Sequence, residues 1–120
     1  MLRPEKASKR VKTAALRTSE LDFFFLCSSV TALIGGPGQV DYCAANAFLD
    51  AFAQFAWAEG RPALAVNWDT WSDVGMAVEG VVPSGLEALR AATLANGISA
   101  RGGADAFLRL LTCREPQVVV

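Results

Sequence analysis

Residues 41–68 open with Asp41-Tyr42-Cys43-Ala44-Ala45-Asn46-Ala47-Phe48-Leu49-Asp50 and continue with Ala51-Phe52-Ala53-Gln54-Phe55-Ala56-Trp57-Ala58-Glu59. After Gly60-Arg61-Pro62 they close with Ala63-Leu64-Ala65-Val66-Asn67-Trp68. Phe48, Phe52 and Phe55 fall at i, i+4 and i+7, and alanine fills most of the intervening positions, so residues 41–59 are expected to form a helix. A helix so apolar around its circumference is expected to lie sandwiched between layers. Gly60 ends it and Pro62 prevents its return. The short apolar run at 63–68 then predicts a buried strand. Helix followed directly by a strand buried on both faces is the unit of a parallel sheet.

Working outward, residues 21–28 form another continuous apolar run led by Phe23, Phe24 and Phe25, and predict a strand buried on both faces. Gly35, Gly36, Pro37 and Gly38 break regular structure before the long helix. Residues 69–83 are expected to be a loop. Ser84 is placed to cap a short helix through Leu94, closed by Asn96-Gly97. Ser99 or Ala100 opens a further helix with Phe107, Leu108 and Leu111 facing inward, and residues 116–120 form a last strand. Pro4 suits a first helical position, and residues 4–17 are expected to be helical. The alternation implies an α/β fold, a doubly wound parallel sheet of three strands with flanking helices.

The 120 residues suit one domain and are too few for two. Hydrophobic side chains make up 52% and charged ones 19%, which argues against disorder and for a piece of a larger body or one side of an oligomer. There is no histidine, which removes Ser-His and Cys-His nucleophile pairs and histidine-ligated metals. Cys27, Cys43 and Cys113 are widely spaced and odd in number, so neither a metal site nor a disulfide framework is expected; they suit a reducing cytoplasm. No apolar run is long enough to span a bilayer, and residues 1–10 lack the apolar segment of a secretory signal. Residues 1–17 hold six of the eleven basic groups and one acid. No aromatics interleave with them, so they are expected to be a solvated helix face and not a nucleic-acid arm.

In a doubly wound sheet, ligands bind beyond the carboxyl ends of the strands. That rim collects Ser29, Tyr42, Asn46 one helical turn after Tyr42, and the loop at 69–77. Taken singly, each has a plain structural role available: a strand-end serine, a half-buried tyrosine, a polar group on a helix surface. Trp68 and Trp71 alone suit core and loop packing. Their combination is more specific. Cys27-Ser28-Ser29-Val30, Gly35-Gly36-Pro37-Gly38-Gln39, Tyr42-Cys43-Ala44-Ala45-Asn46-Ala47-Phe48-Leu49-Asp50, Pro62-Ala63-Leu64-Ala65-Val66-Asn67-Trp68 and Val74-Gly75-Met76-Ala77 closely resemble the ketoreductase domain of modular type I polyketide synthases, within the short-chain dehydrogenase/reductase superfamily. The resemblance continues through Asn96-Gly97-Ile98-Ser99 to Pro116-Gln117-Val118-Val119-Val120. It covers residues 21–120; residues 1–20 match poorly.

The resemblance implies the C-terminal half of a Rossmann-like domain, its last three strands with the catalytic segment and lid. Ser29, thirteen positions before Tyr42, would hydrogen-bond the substrate carbonyl, and Tyr42 would protonate it as hydride arrives from NADPH. Asn46 would support the relay. Lys6 would be the upstream lysine that touches the ribose and assists the tyrosine, with Lys9 and Lys12 as alternatives. Tyr42, Trp68, Asp69 and Thr70 would line the cofactor, Asp69-Thr70 standing where many relatives have Gly-Pro. Ile34 stands where reductases of the so-called A type carry tryptophan, which disfavours that type. No G-x-G-x-x-G is present, so most of the NADPH site is expected to lie in a missing N-terminal half. The implied partners are an acyl carrier protein bearing the β-ketoacyl chain, other synthase domains and that missing half. The exposed apolar edge led by Phe23-Phe24-Phe25 is expected to promote self-association. The competing expectation is a non-catalytic structural or docking remnant within a synthase.

Overall fold

The computed structural model describes residues 21–82 and 84–120. The helix expected at 4–17, and Lys6 with it, lie outside the described residues. Three strands, β1 (Phe25–Ser29), β2 (Leu64–Trp68) and β3 (Gln117–Val119), form one sheet in the order β1-β2-β3. Both pairings are parallel, with Phe25 opposite Leu64, Ser29 opposite Trp68 and Val66 opposite Val118. Among the described residues there are also five helices: α1 (Thr31–Ile34), α2 (Val40–Ala58), α3 (Met76–Glu79), α4 (Glu87–Ala95) and α5 (Ala100–Leu110). The expected α/β architecture, a parallel sheet with flanking helices, is the one observed.

Alternation along β1 decides what covers each face of the sheet. Phe24 and Leu26, with Phe52 of α2, pack against the buried alanines Ala53, Ala56, Ala63 and Ala65. The small side chains let helix and sheet approach closely. Phe25 points the other way, its ring 4.9 Å from that of Phe107 on α5 at a near-perpendicular angle, and Phe23 joins the same group. Such edge-to-face pairs add to simple area burial. One helix therefore lies on each side of the sheet.

The terminus of α2 follows the expected chemistry. Gly60 adopts φ +72°. Its N–H donates to the Trp57 carbonyl, and that of Arg61 donates to Ala56. These two bonds are the paired closure that needs a left-handed residue at this position.

Four expectations are corrected. The strand predicted over 21–28 begins only at Phe25, and it is not buried on both faces: Cys27 is exposed. Phe23 packs against Phe107 of α5 and Phe24 against the α2 cluster, and the Phe24 carbonyl accepts from the Leu64 N–H at the start of the ladder. Next, α2 is not sandwiched. It buries Asn46, Leu49, Asp50, Ala53 and Ala56 along one stripe, while Phe48 and Phe55 stay 41% and 56% exposed. Third, Ser84 does not cap α4, whose N-cap is Leu86 with no side-chain bond. Glu87 instead reaches back to accept from the Gly85 N–H at 2.9 Å. Fourth, of the inward trio on α5 only Phe107 packs in; Leu108 and Leu111 are exposed. The loop expected at 69–83 also contains α3 and a single parallel bridge between Trp71 and Ile98. Ser99 does cap α5, accepting from the Gly102 N–H at 3.0 Å.

Candidate functional site

A cavity of about 480 Å3 opens at the carboxyl ends of β1 and β2, where a parallel sheet presents its ligand crevice. Ser29, the last residue of β1, and Tyr42, in the first turn of α2, both line it, together with Trp68, Asp69 and Thr70. Cys27, Thr31 and the segment from Val74 to Ala77 complete much of the wall. Of the residues singled out in the sequence, five thus share one cavity. Asn46 does not line it. It is buried, and its side-chain amide donates to the Tyr42 carbonyl at 2.9 Å. Asn46 therefore holds the turn that carries Tyr42. Among the described residues, no cluster of three or more His, Cys, Asp or Glu could hold a metal, and no helix is long and apolar enough to cross a membrane.

The two adjacent serines have separate chemistry. Ser28 is consumed by the interior: its hydroxyl donates to the Asn46 carbonyl at 3.3 Å and accepts from Asn67 Nδ2 at 3.0 Å. Among the described residues, Ser29 Oγ accepts from the Thr31 N–H at 3.2 Å and from Thr31 Oγ1 at 3.0 Å and donates to none. A hydroxyl has one hydrogen to give and two lone pairs. With both lone pairs engaged, the Ser29 hydrogen remains to donate, and hydrogen bonds accepted by its oxygen strengthen it as a donor. Ser29 is 8% exposed and Tyr42 40% exposed, so the tyrosine is the more accessible of the two.

The sequence reading missed the group that ties these elements together. Asn67, fully buried on β2, has three acceptors around the two hydrogens of its Nδ2, Ser28 Oγ, the Ser29 carbonyl at 3.1 Å and Asp50 Oδ2 at 2.9 Å, so one hydrogen is shared. Its Oδ1 accepts from Gln117 Nε2 on β3 at 2.9 Å. Three strands and α2 meet on one amide. The available signal was a lone polar residue inside an apolar strand, and an Asp one turn after Asn46 on the same helix face.

The loop wall is equally well anchored. Trp68 and Trp71 pack together with ring centroids 5.2 Å apart and planes tilted by 42°. The Asp69 N–H donates to the Val120 carbonyl, and the Thr70 N–H donates to Asp69 Oδ1. The wall of the cavity therefore continues directly from the sheet.

A family model described as KR domain matches residues 5–73, more than half of the chain. The chain belongs to the KR-domain family of polyketide synthases. The KR match takes in Lys6, Ser29, Tyr42, Asn46 and Thr70 alike. Among curated relatives, this KR chain is 39% identical over 106 residues to the polyketide synthase GfsA of Streptomyces halstedii, covering 88% of the chain and 1% of that protein. It is 48% identical over 65 residues to a mycocerosic acid synthase-like polyketide synthase of Mycolicibacterium smegmatis, covering 54% of the chain and 3% of the relative. The KR chain thus spans only a few per cent of these relatives. Solved structures agree. An A-type ketoreductase from a modular polyketide synthase superposes with a TM-score of 0.76 at 29% identity, over 92% of this chain and 22% of that one. The first ketoreductase of the tylosin synthase gives 0.72 at 30% identity, over the whole of this chain and 28% of that one.

Proposed function

We propose that this chain is the substrate-oxygen half of a polyketide-synthase ketoreductase, which reduces a β-ketoacyl chain on an acyl carrier protein to the β-hydroxyacyl chain. The observation that carries this reading is the placement of Ser29 and Tyr42, from two different elements, in one cavity at the carboxyl rim of a parallel sheet. The free hydrogen of Ser29 binds the ketone oxygen and polarises it. The Tyr42 phenol delivers a proton to that oxygen as it gains charge. A phenol is a weak acid, and a neighbouring positive charge helps it give up and regain its proton at neutral pH; Lys6 is the candidate. Asn46 keeps the Tyr42 turn in place through the bond to its carbonyl.

The cavity suits one end of a nicotinamide cofactor. Its volume accommodates a ring and a keto group, and its lining mixes the Trp68 and Trp71 rings with the polar Asp69 and Thr70. The chain contains no G-x-G-x-x-G to cradle the phosphates. When bound, NADPH supplies the hydride. Tyr42, Trp68, Asp69 and Thr70 would hold its nicotinamide end, and an upstream half of the domain would hold the remainder.

The test is complementation. The chain alone is expected neither to bind NADPH tightly nor to reduce ketones. Mixed with the upstream half of a ketoreductase, it is expected to turn over a β-ketoacyl thioester. Tyr42→Phe in that mixture should lower kcat by about 10²- to 10⁴-fold, the usual contribution of a positioned acid, with the Kd for NADPH unchanged. Full activity in Tyr42→Phe would remove the assigned role. The exposed Phe48 and Phe55 favour one other reading, a non-catalytic element that docks on another synthase domain. Failure of the mixture to bind NADPH at all would favour it.

A further inference from the structure

Opposite the two candidate catalytic residues, the cavity wall is a loop with no strand of its own to fix it. One of its anchors is a contact between two residues far apart in the chain. Gly103, buried in the first turn of α5, lies against the Cη2–Cζ3 edge of the six-membered ring of Trp71. A Cβ built on Gly103 would overlap Trp71 Cη2 and Cζ3 and would sit 3.2 Å from Cζ2. Carbon atoms at rest keep about 3.5–4.0 Å apart, so an alanine here would drive the indole away by about 1 Å or more. The opposing atoms belong to a rigid ring, not to the end of a flexible chain.

Trp71 has little room to yield. Its indole lies against that of Trp68, which ends β2. Its backbone bridges Ile98, whose N–H donates to the Thr70 carbonyl at 2.8 Å and whose carbonyl accepts from the Ser72 N–H at 2.9 Å. One residue further, Asp73 Oδ1 accepts from the N–H of Ala100 at the start of α5. The same loop supplies Asp69, Thr70, Val74 and Gly75 to the cavity, and Trp71 lines it directly.

We infer that Gly103 and Trp71 are a positioning pair, in which the absent side chain of Gly103 seats Trp71 and thereby sets the loop wall facing Ser29 and Tyr42. The pair acts on the fit of the bound molecules and leaves the proton-donating groups on β1 and α2 untouched. This deepens the ketoreductase reading and rests on it for its kinetic consequence, but the seating of the indole can be measured without any reaction.

The first measurement uses the 120-residue chain. The Trp68–Trp71 pair should give a far-ultraviolet exciton couplet, and the amides of Ser72, Ile98 and Ala100 should be protected from deuterium exchange. Gly103→Ala should weaken the couplet and speed exchange at those three amides, while β1 and β2 amides keep their protection. The second measurement uses the complemented reductase. Gly103→Ala should raise KM about tenfold or more with kcat within about threefold, the pattern of lost ground-state fit. Gly103→Ala combined with Trp71→Phe removes the overlapping ring atoms and should recover most of the KM. The inference is overturned if Gly103→Ala leaves couplet, exchange and KM as in the parent. It is also overturned if kcat and KM worsen together with a general loss of protection that Trp71→Phe fails to rescue. Absence of turnover in the complemented parent would count against the ketoreductase reading alone, and the couplet and exchange would still decide the seating of Trp71.

Discussion

Replacing Asn67 by leucine should destabilise the fold far more than its size suggests. The side chain is fully buried and its amide serves Ser28, the Ser29 carbonyl, Asp50 and Gln117. Leucine fills nearly the same volume, so little of the effect comes from packing. What is lost is the donor to Asp50 Oδ2 and to the Ser29 carbonyl. Asp50 Oδ1 has no partner among the described residues, so the substitution leaves both carboxyl oxygens bare inside the protein. Each buried group stranded in this way costs about 1–3 kcal/mol, and together they should cost about 3–5 kcal/mol. Against a total stability of about 5–15 kcal/mol for a domain, that is a large fraction. Urea unfolding, with a slope of about 1–3 kcal/mol per molar, should show the midpoint falling by about 2 M. The double substitution Asn67→Leu with Asp50→Leu removes donor and acceptor together and should recover a substantial part of the loss. A single-variant loss below about 1 kcal/mol, or a double variant as unstable as the sum of the singles, would refute the account of this network.

Three other outcomes follow from the same structure. Ser99→Ala removes the hydroxyl that accepts from Gly102; it should cost about 1 kcal/mol in thermal unfolding and leave the strands intact. Arg90 of α4 donates to the carbonyls of Val78 and Gly80, so Arg90→Met should accelerate deuterium exchange across residues 76–80 without altering α5. The exposed aromatic rings of Phe48 and Phe55 on one face of α2 should make the chain self-associate at micromolar concentration. Light scattering should therefore give a mass above that of the monomer, falling when both are changed to glutamate.

The elements whose signals are local were readable in the sequence. The long helix was readable because its Gly60 stop and alanine-rich face act within a few residues. So was β2, an apolar run closed by a turn. The first strand was over-extended because apolarity reports burial, not hydrogen bonding. Phe23 is needed by Phe107, which stands in a helix more than eighty positions later. Ser84 has the residue type of a cap, yet the helix starts later, at Glu87, whose own carboxylate reaches back to the Gly85 N–H. At the site, the spacing of Ser29 and Tyr42 carried most of the information. The separate duties of Ser28 and Ser29 did not show, since they depend on Thr31 and Asn67. Nor did the seat of Trp71, because a glycine's missing side chain announces nothing about what fills the space.

The parallel sheet also constrains how this molecule reaches its structure. Ser28 and Asn67, hydrogen-bonded across β1 and β2, are 39 positions apart, and Asn67 and Gln117, across β2 and β3, are 50 apart. Each pairing must close a long loop before it returns any stabilisation, which slows folding relative to a helical bundle of the same length. The helices between the strands can form early from local contacts. The cavity cannot, because its walls come from β1, α2 and the segment after β2. Phe24, Leu26 and Val66 gain their cover only when the strands dock, so the same long-range pairing that closes the core also builds the cavity.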